Sequence, residues 1–159
     1  MAQTVYSEMK PGEEKAVCDL VERVFGALVA PGYDAAGAQQ FFRYANPIAL
    51  AERVRAGGFV LTAKRDGRLV GMVEFASPDR IALLFVSLRG QGVGKELVAR
   101  AIEKARDANS ALSKVTVHSS PYAEPAYQKM GFRRSGDATI SQGIRYVPME
   151  LSLGDRSET

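Results

Sequence analysis

The sequence predicts a layered α/β domain built on a mixed sheet, in the element order β-α-α-β-β-β-α-β-α-β-β. Three features of the 159-residue chain point that way. Apolar residues recur at helical spacing through the first third, and the period shortens to that of strands from Phe59 onward. A glycine-rich loop around Gly92 then joins an apolar strand to an amphipathic helix.

Residues 4–8 read as a first strand. Pro11-Gly12-Glu13-Glu14 opens a helix with proline and acids in its first turn, and Val17, Leu20, Val21, Val24, Phe25 and Leu28 share its buried face. Pro31-Gly32 is expected to stop it. A second helical stretch over 34–56 is divided at Asn46-Pro47, because proline cannot continue the hydrogen-bond ladder and restricts the residue before it. Gly57-Gly58 ends the second piece.

Residues 59–64 form a strand, Arg65-Asp66-Gly67-Arg68 a hairpin turn, and 69–76 the return strand. After Ser77-Pro78-Asp79, the unbroken apolar run 81–86 suits a central strand buried on both faces. The helix after the glycine loop places Leu97, Val98, Ala101, Ile102 and Ala105 on one face and its charged residues on the other. A strand over 114–118, a short helix over 121–130 ended by Gly131, and strands over 132–140 and 144–151 complete the order. Residues 1–153 are expected to make one domain and 154–159 a frayed tail.

Composition excludes several function classes. With 46% hydrophobic and 25% charged residues and a net charge of +3, the chain is neither disordered nor polybasic. At this length about 68–70% of the unfolded surface can be buried, so no disulfide or metal is needed to fold. No apolar stretch approaches the roughly 20 residues of a membrane span. The N-terminus lacks a basic region followed by an apolar core, so no secretory leader is expected there. The lone Cys18 sits in an amphipathic run as a small buried residue and suits a reducing cytoplasm. One Cys and one His cannot supply a structural zinc site. Basic and acidic residues number 21 and 18 and are interleaved, which makes no stripe for nucleic acid.

Chemistry enters at Val86-Ser87-Leu88-Arg89-Gly90-Gln91-Gly92-Val93-Gly94-Lys95. Glycines between a strand and a helix free successive backbone N–H groups to face an anion, and the helix N-terminus adds its positive dipole end. A dinucleotide fingerprint fails because Lys95 stands where the third glycine belongs. A Walker loop fails because Glu96 follows Gly94-Lys95 and Arg89 occupies the position of its first glycine.

The spacing Arg89-Gly90-Gln91-Gly92-Val93-Gly94 matches Arg/Gln-x-x-Gly-x-Gly/Ala. A second block, Ser119 to Phe132 with Ala126-Tyr127-Gln128-Lys129-Met130-Gly131-Phe132 at its end, lies downstream. In these two blocks the sequence resembles the GNAT acyltransferase superfamily over residues 58–150. The resemblance implies a three-layer α/β/α domain with a central mixed, mostly antiparallel sheet, and acetyl-CoA as the donor. It places the pyrophosphate on the N–H groups of Gln91, Gly92, Val93, Gly94 and Lys95, after Arg89 and Gly90. It places the pantetheine arm on the backbone of Phe85 and Val86. Where the family commonly has an asparagine, Ser120 stands at one alignment and His118 at another. Lys95, Lys129 and Arg133 are further candidates for the phosphates.

Acetyl transfer to an amine needs a base for the ammonium proton, a donor for the oxyanion and a proton for the leaving thiolate. By resemblance Tyr127 is the acid. For the base, Glu74 is an acid inside an apolar strand, where burial would raise its pKa, or it bonds a neighbouring arginine. His118 ends a strand beside the site, and Asp79 precedes Arg80 where relatives place an acid or His. Water-mediated deprotonation is the remaining route. Tyr33 and Tyr44, near Phe41 and Phe42, fall in the region expected to line the acceptor pocket.

The expected function is a cytoplasmic N-acetyltransferase passing acetyl from acetyl-CoA to a primary amine, without a metal. The acceptor would be a small molecule, a protein N-terminus or a lysine, with neither nucleic acid nor membrane as partner and with the chain a monomer or homodimer. The alternative is an acyl-CoA-binding module without turnover.

Overall fold

The computed structural model describes residues 3–30, 33–141 and 143–154. The Pro31-Gly32 stop and tail residues 155–159 lie outside them.

The chain runs β1 (Thr4–Glu8), α1 (Glu14–Val24), a π-helical turn (Phe25–Val29), α2 (Ala35–Tyr44), α3 (Pro47–Arg55), β2 (Phe59–Arg65), β3 (Arg68–Ser77) and β4 (Arg80–Val86). It continues with α4 (Val93–Ala108), β5 (Lys114–Ser119), α5 (Glu124–Lys129), β6 (Arg133–Arg134), β7 (Thr139–Ser141) and β8 (Ile144–Ser152). Side chains set the breaks between helices. Asp34 accepts the Gly37 N–H at 2.7 Å to start α2, and Asn46 accepts the Ala49 N–H at 3.0 Å to start α3, with Pro47 in its first turn. Asp66 and Gly67, at φ 50° and 77°, make the β2–β3 turn in the mirror-image form that suits strand twist.

Eight strands form a mixed, mostly antiparallel sheet in the order β1-β2-β3-β4-β5-β8-β6, with β7 also on β8. Among the described strands only β4 and β5 run parallel. One apolar layer lies against α4 and includes Val73, Phe75, Ile81, Leu97, Ala101, Val117, Tyr127 and Phe132. The other lies under α1–α3 and includes Val17, Leu20, Phe25, Phe41, Leu50, Met72, Leu83 and Phe85. Phe25 stacks on Phe41 with centroids 4.2 Å apart, tying the π-helical turn to α2.

A bulge in β4 shapes the rest. Glu74 pairs with Leu83 and Phe75 with Ile81, which leaves Ala82 as an extra residue on β4. Below the bulge Ile81 joins the α4-side layer; above it Leu83 and Phe85 join the other. This overturns the expectation of a strand buried on both faces, since Ala82, Leu84 and Val86 are only half-buried. Two further boundaries differ. The helix expected over 121–130 is regular only over Glu124–Lys129, and the strand expected over 132–140 is split into β6 and β7 by the exposed stretch 135–138.

Candidate active site

Beyond the bulge β4 and β5 part company. They pair at Arg80–Thr116 and Ile81–Val117 and then diverge, so the β4 edge from Ala82 onward faces no strand. A cleft of about 990 Å³ opens there, floored by Leu83, Leu84, Phe85 and Val86. Its two ends are built differently.

At one end lies the glycine loop. Gly90 and Gly92 take left-handed φ values of 68° and 74°, which a side chain would resist. Gly92 is the N-cap of α4 and brings no capping side chain, so the first-turn N–H groups are left for another acceptor. Gly90, Gly92, Val93, Gly94 and Lys95 line the cleft, and Lys129 approaches from α5. Arg89 donates to the Tyr122 hydroxyl, and both side chains line the same wall. The Gln91 side chain instead meets Arg65 at a long 3.5 Å, and Arg133 lies on β6 away from the cleft. Ser120 lines the cleft while its Oγ accepts the Ala123 N–H at 3.1 Å, holding the turn into α5.

Tyr127 belongs to the same lining. It is 4% exposed, edge-on to Phe132 at 5.2 Å, and lines the cleft from α5. Burial pushes its phenol far above the ordinary tyrosine value, so the hydroxyl keeps its proton at any physiological pH.

At the other end stand His118, Arg80, Tyr33, Phe41, Tyr44 and Tyr146. His118 is exposed at the end of β5 and stacks on Tyr146, with centroids 4.3 Å apart and planes 17° apart. Partial burial, then the nearby Arg80 charge, hold its pKa below the ordinary histidine value. Burial raises the phenol pKa values of Tyr33 and Tyr44. Phe42, at 36% exposure, does not line the cleft.

Glu74 is elsewhere. It is fully buried in mid-β3 and held by Arg53, which donates to it at 2.7 and 3.0 Å. The same guanidinium donates to the Tyr44 carbonyl at 2.7 Å and covers the Tyr44 ring at 3.6 Å. Glu74 therefore does not reach the cleft with His118 and Tyr127. Asp79 stays in the β3–β4 turn, accepting from Ser77 at 3.2 Å. Tyr146 was not among the residues singled out from the sequence, since nothing local ties it to His118, 28 positions earlier. Among the described residues lining the cleft there is no carboxylate. Nor do the described residues include a cluster of three or more His, Cys, Asp or Glu that could hold a metal, or a helix long and apolar enough to cross a membrane.

The cleft thus lies between a parallel strand pair that splits and a helix capped by glycine. Residues 29–153 match the family model of the acetyltransferase (GNAT) domain, and the chain belongs to that family. A UPF0039 protein of Schizosaccharomyces pombe is 34% identical over 102 residues, covering 60% of this chain and 68% of the relative. A GCN5-related N-acetyltransferase from Rhodopseudomonas palustris superposes with a TM-score of 0.80 at 23% identity, covering 96% of this chain and 98% of the other. The PaiA N-acetyltransferase of Thermoplasma acidophilum, solved with coenzyme A, gives 0.78 at 14% identity over 95% and 99%. At those identities the two structures establish the fold.

Proposed function

We propose that the chain, as one domain over residues 1–153, is an N-acetyltransferase that moves the acetyl group of acetyl-CoA directly to a primary amine in the cytoplasm. The observation that carries this reading is the pairing in one cleft of a histidine inclined to stay neutral with a tyrosine that stays protonated. A base and an acid whose environments push them toward opposite proton states suit an amine that must lose a proton and a thiolate that must gain one.

The residues present fit the donor. The open β4 edge offers unpaired backbone groups to the pantetheine amides, in the manner of an added strand. Gly90 to Lys95 offer N–H groups and a helix dipole to the pyrophosphate, with Arg89, Lys95 and Lys129 around them. The thioester supplies the activated acetyl group. His118 takes the ammonium proton directly or through water, leaving the amine lone pair free for the carbonyl carbon. As the N–C bond forms and the C–S bond breaks, Tyr127 gives its proton to the departing sulfur, and the second proton of the attacking nitrogen, lost as the amide forms, returns to the Tyr127 oxygen directly or through water.

Direct transfer is favoured over an acetyl-cysteine route by Cys18. It is the one cysteine of the chain, is 7% exposed under α1, and burial raises its thiol to about 11. The test is CoA release, followed with a thiol reporter across a panel of amines. Wild type should release CoA with at least one amine, and Tyr127→Phe should lower kcat while keeping CoA affinity. Acetyl-CoA binding without release from any amine, unchanged in Tyr127→Phe, would instead establish a binding module.

A further inference from the structure

The charge of the acceptor end is unusual for a site built to receive an amine. A pocket for a polyamine or another multiply charged amine needs carboxylates to replace the water around each ammonium group. Here the described lining residues supply none. They supply a guanidinium instead.

Arg80 starts β4, on the face of the sheet opposite Ile81 and level with Thr116 of β5. That is the face covered by α1–α3, and His118 follows Thr116 on it by the alternation of β5. Arg80 lines the cleft beside His118 and Tyr44, and its charge reaches both of them. The acids nearby are committed to other groups. Glu74 is bound by Arg53, Asp79 accepts from Ser77, and Glu150, across from Thr116 on β8, pairs with Lys114 at 3.7 Å. Nor does the donor account for Arg80. The phosphate-binding loop begins beyond Val86, six residues further along β4, or about 20 Å at roughly 3.3 Å per residue.

We propose that Arg80 receives a carboxylate of the acceptor, and that the acceptor is an amino acid: an amine whose own carboxylate lies a few bonds from its nitrogen. This rests on the transfer reading above and narrows it. The guanidinium fork matches a carboxylate with two parallel hydrogen bonds. Arg80 and His118 border the same end of the cleft, so the carboxylate docks at the first while the amine faces the second. Tyr33, Phe41, Tyr44 and Tyr146 surround the space left for the side chain, which favours an apolar or aromatic one.

The test compares each of the common amino acids with its own carboxamide as acceptor, in wild type and Arg80→Gln. Two signals are read, CoA release with acetyl-CoA and calorimetric binding of the acceptor in the presence of CoA. The expected result is a preference of ten-fold or more in kcat/KM for free acids over carboxamides, with apolar and aromatic members ahead. In Arg80→Gln the preference collapses to within about three-fold, because the KM of the acids rises more than that of the carboxamides. Carboxamides that react as well as the acids, or a preference that survives Arg80→Gln, overturn the assignment and leave acetyl transfer standing. Arg80-dependent binding of the acids without CoA release would keep the assignment and overturn acetyl transfer. Neither release nor binding of any acid would overturn both.

Discussion

Arg53 of α3 grips Glu74 of β3 through two near-parallel hydrogen bonds, 2.7 Å from Nε to Oε2 and 3.0 Å from Nη2 to Oε1. The carboxylate is sealed from solvent, and the arginine is 17% exposed. This pair bolts the helical layer to the sheet, because the same guanidinium donates to the Tyr44 carbonyl at the end of α2. It also steadies one wall of the cleft, with the lining residue Tyr44 laid against Arg53.

Removing one partner of a buried pair leaves the other uncompensated, at a cost of about 3–5 kcal/mol. Glu74→Ala should fall at the lower end of that range, since Arg53 keeps some contact with water. Urea denaturation measures the loss. Glu74→Gln should be milder and should retain the acid limb of the pH–rate profile; disappearance of that limb would make Glu74 the base.

His118 predicts where that limb lies. Its folded pKa is depressed, so the imidazole is neutral at pH 7 and activity falls only as the pH drops through a value below about 6.5. The stability linkage has the same direction. The unfolded chain binds the proton more tightly than the fold, so stability is full above about pH 6.5 and declines as the pH falls toward the folded value. His118→Gln should abolish the limb and lower kcat by about 10²–10⁴-fold. Rate profiles of wild type and variant from pH 5 to 9, on the order of the histidine range, provide the check.

Gly92 separates conformation from space. No atom lies within 4 Å of where its Cβ would be, yet its φ of 74° belongs to the left-handed region. Gly92→Ala should therefore cost about 1–2 kcal/mol from backbone strain alone. Thermal melting should show a drop of roughly 2–4 °C per kcal/mol. Titration with CoA should show weaker binding, because the loop N–H groups proposed to hold the phosphates shift with it.

How much of this was legible in the sequence follows from the range of each signal. The glycine loop, Tyr127 and the breaks at Asn46-Pro47 are written in runs of a few residues, and the structure puts them where local rules place them. The cleft itself is not local. It depends on Ala82, a bulge that shows only as a mismatch of pairing with β3. Glu74 illustrates the same limit. An acid in an apolar strand reads equally as a buried base or an ion pair, and its partner is 21 residues away on another layer. In the sequence Arg80 only follows Asp79 where relatives place an acid or His; the lack of a carboxylate among the described cleft-lining residues gives the arginine a different meaning.

Tyr127→Phe keeps the ring edge against Phe132 and should leave thermal stability and CoA affinity near wild type, while lowering kcat. A matched loss of CoA affinity would reduce Tyr127 to a packing residue.

Direct transfer is tested most closely by acid-quenched turnover, in which CoA, N-acetylated amine and protein-bound acetyl are counted together. The cleft predicts equal amounts of CoA and N-acetyl amine, no protein-bound acetyl, and no CoA before amine is added. A burst of CoA without amine, with acetyl left on the protein, would contradict it.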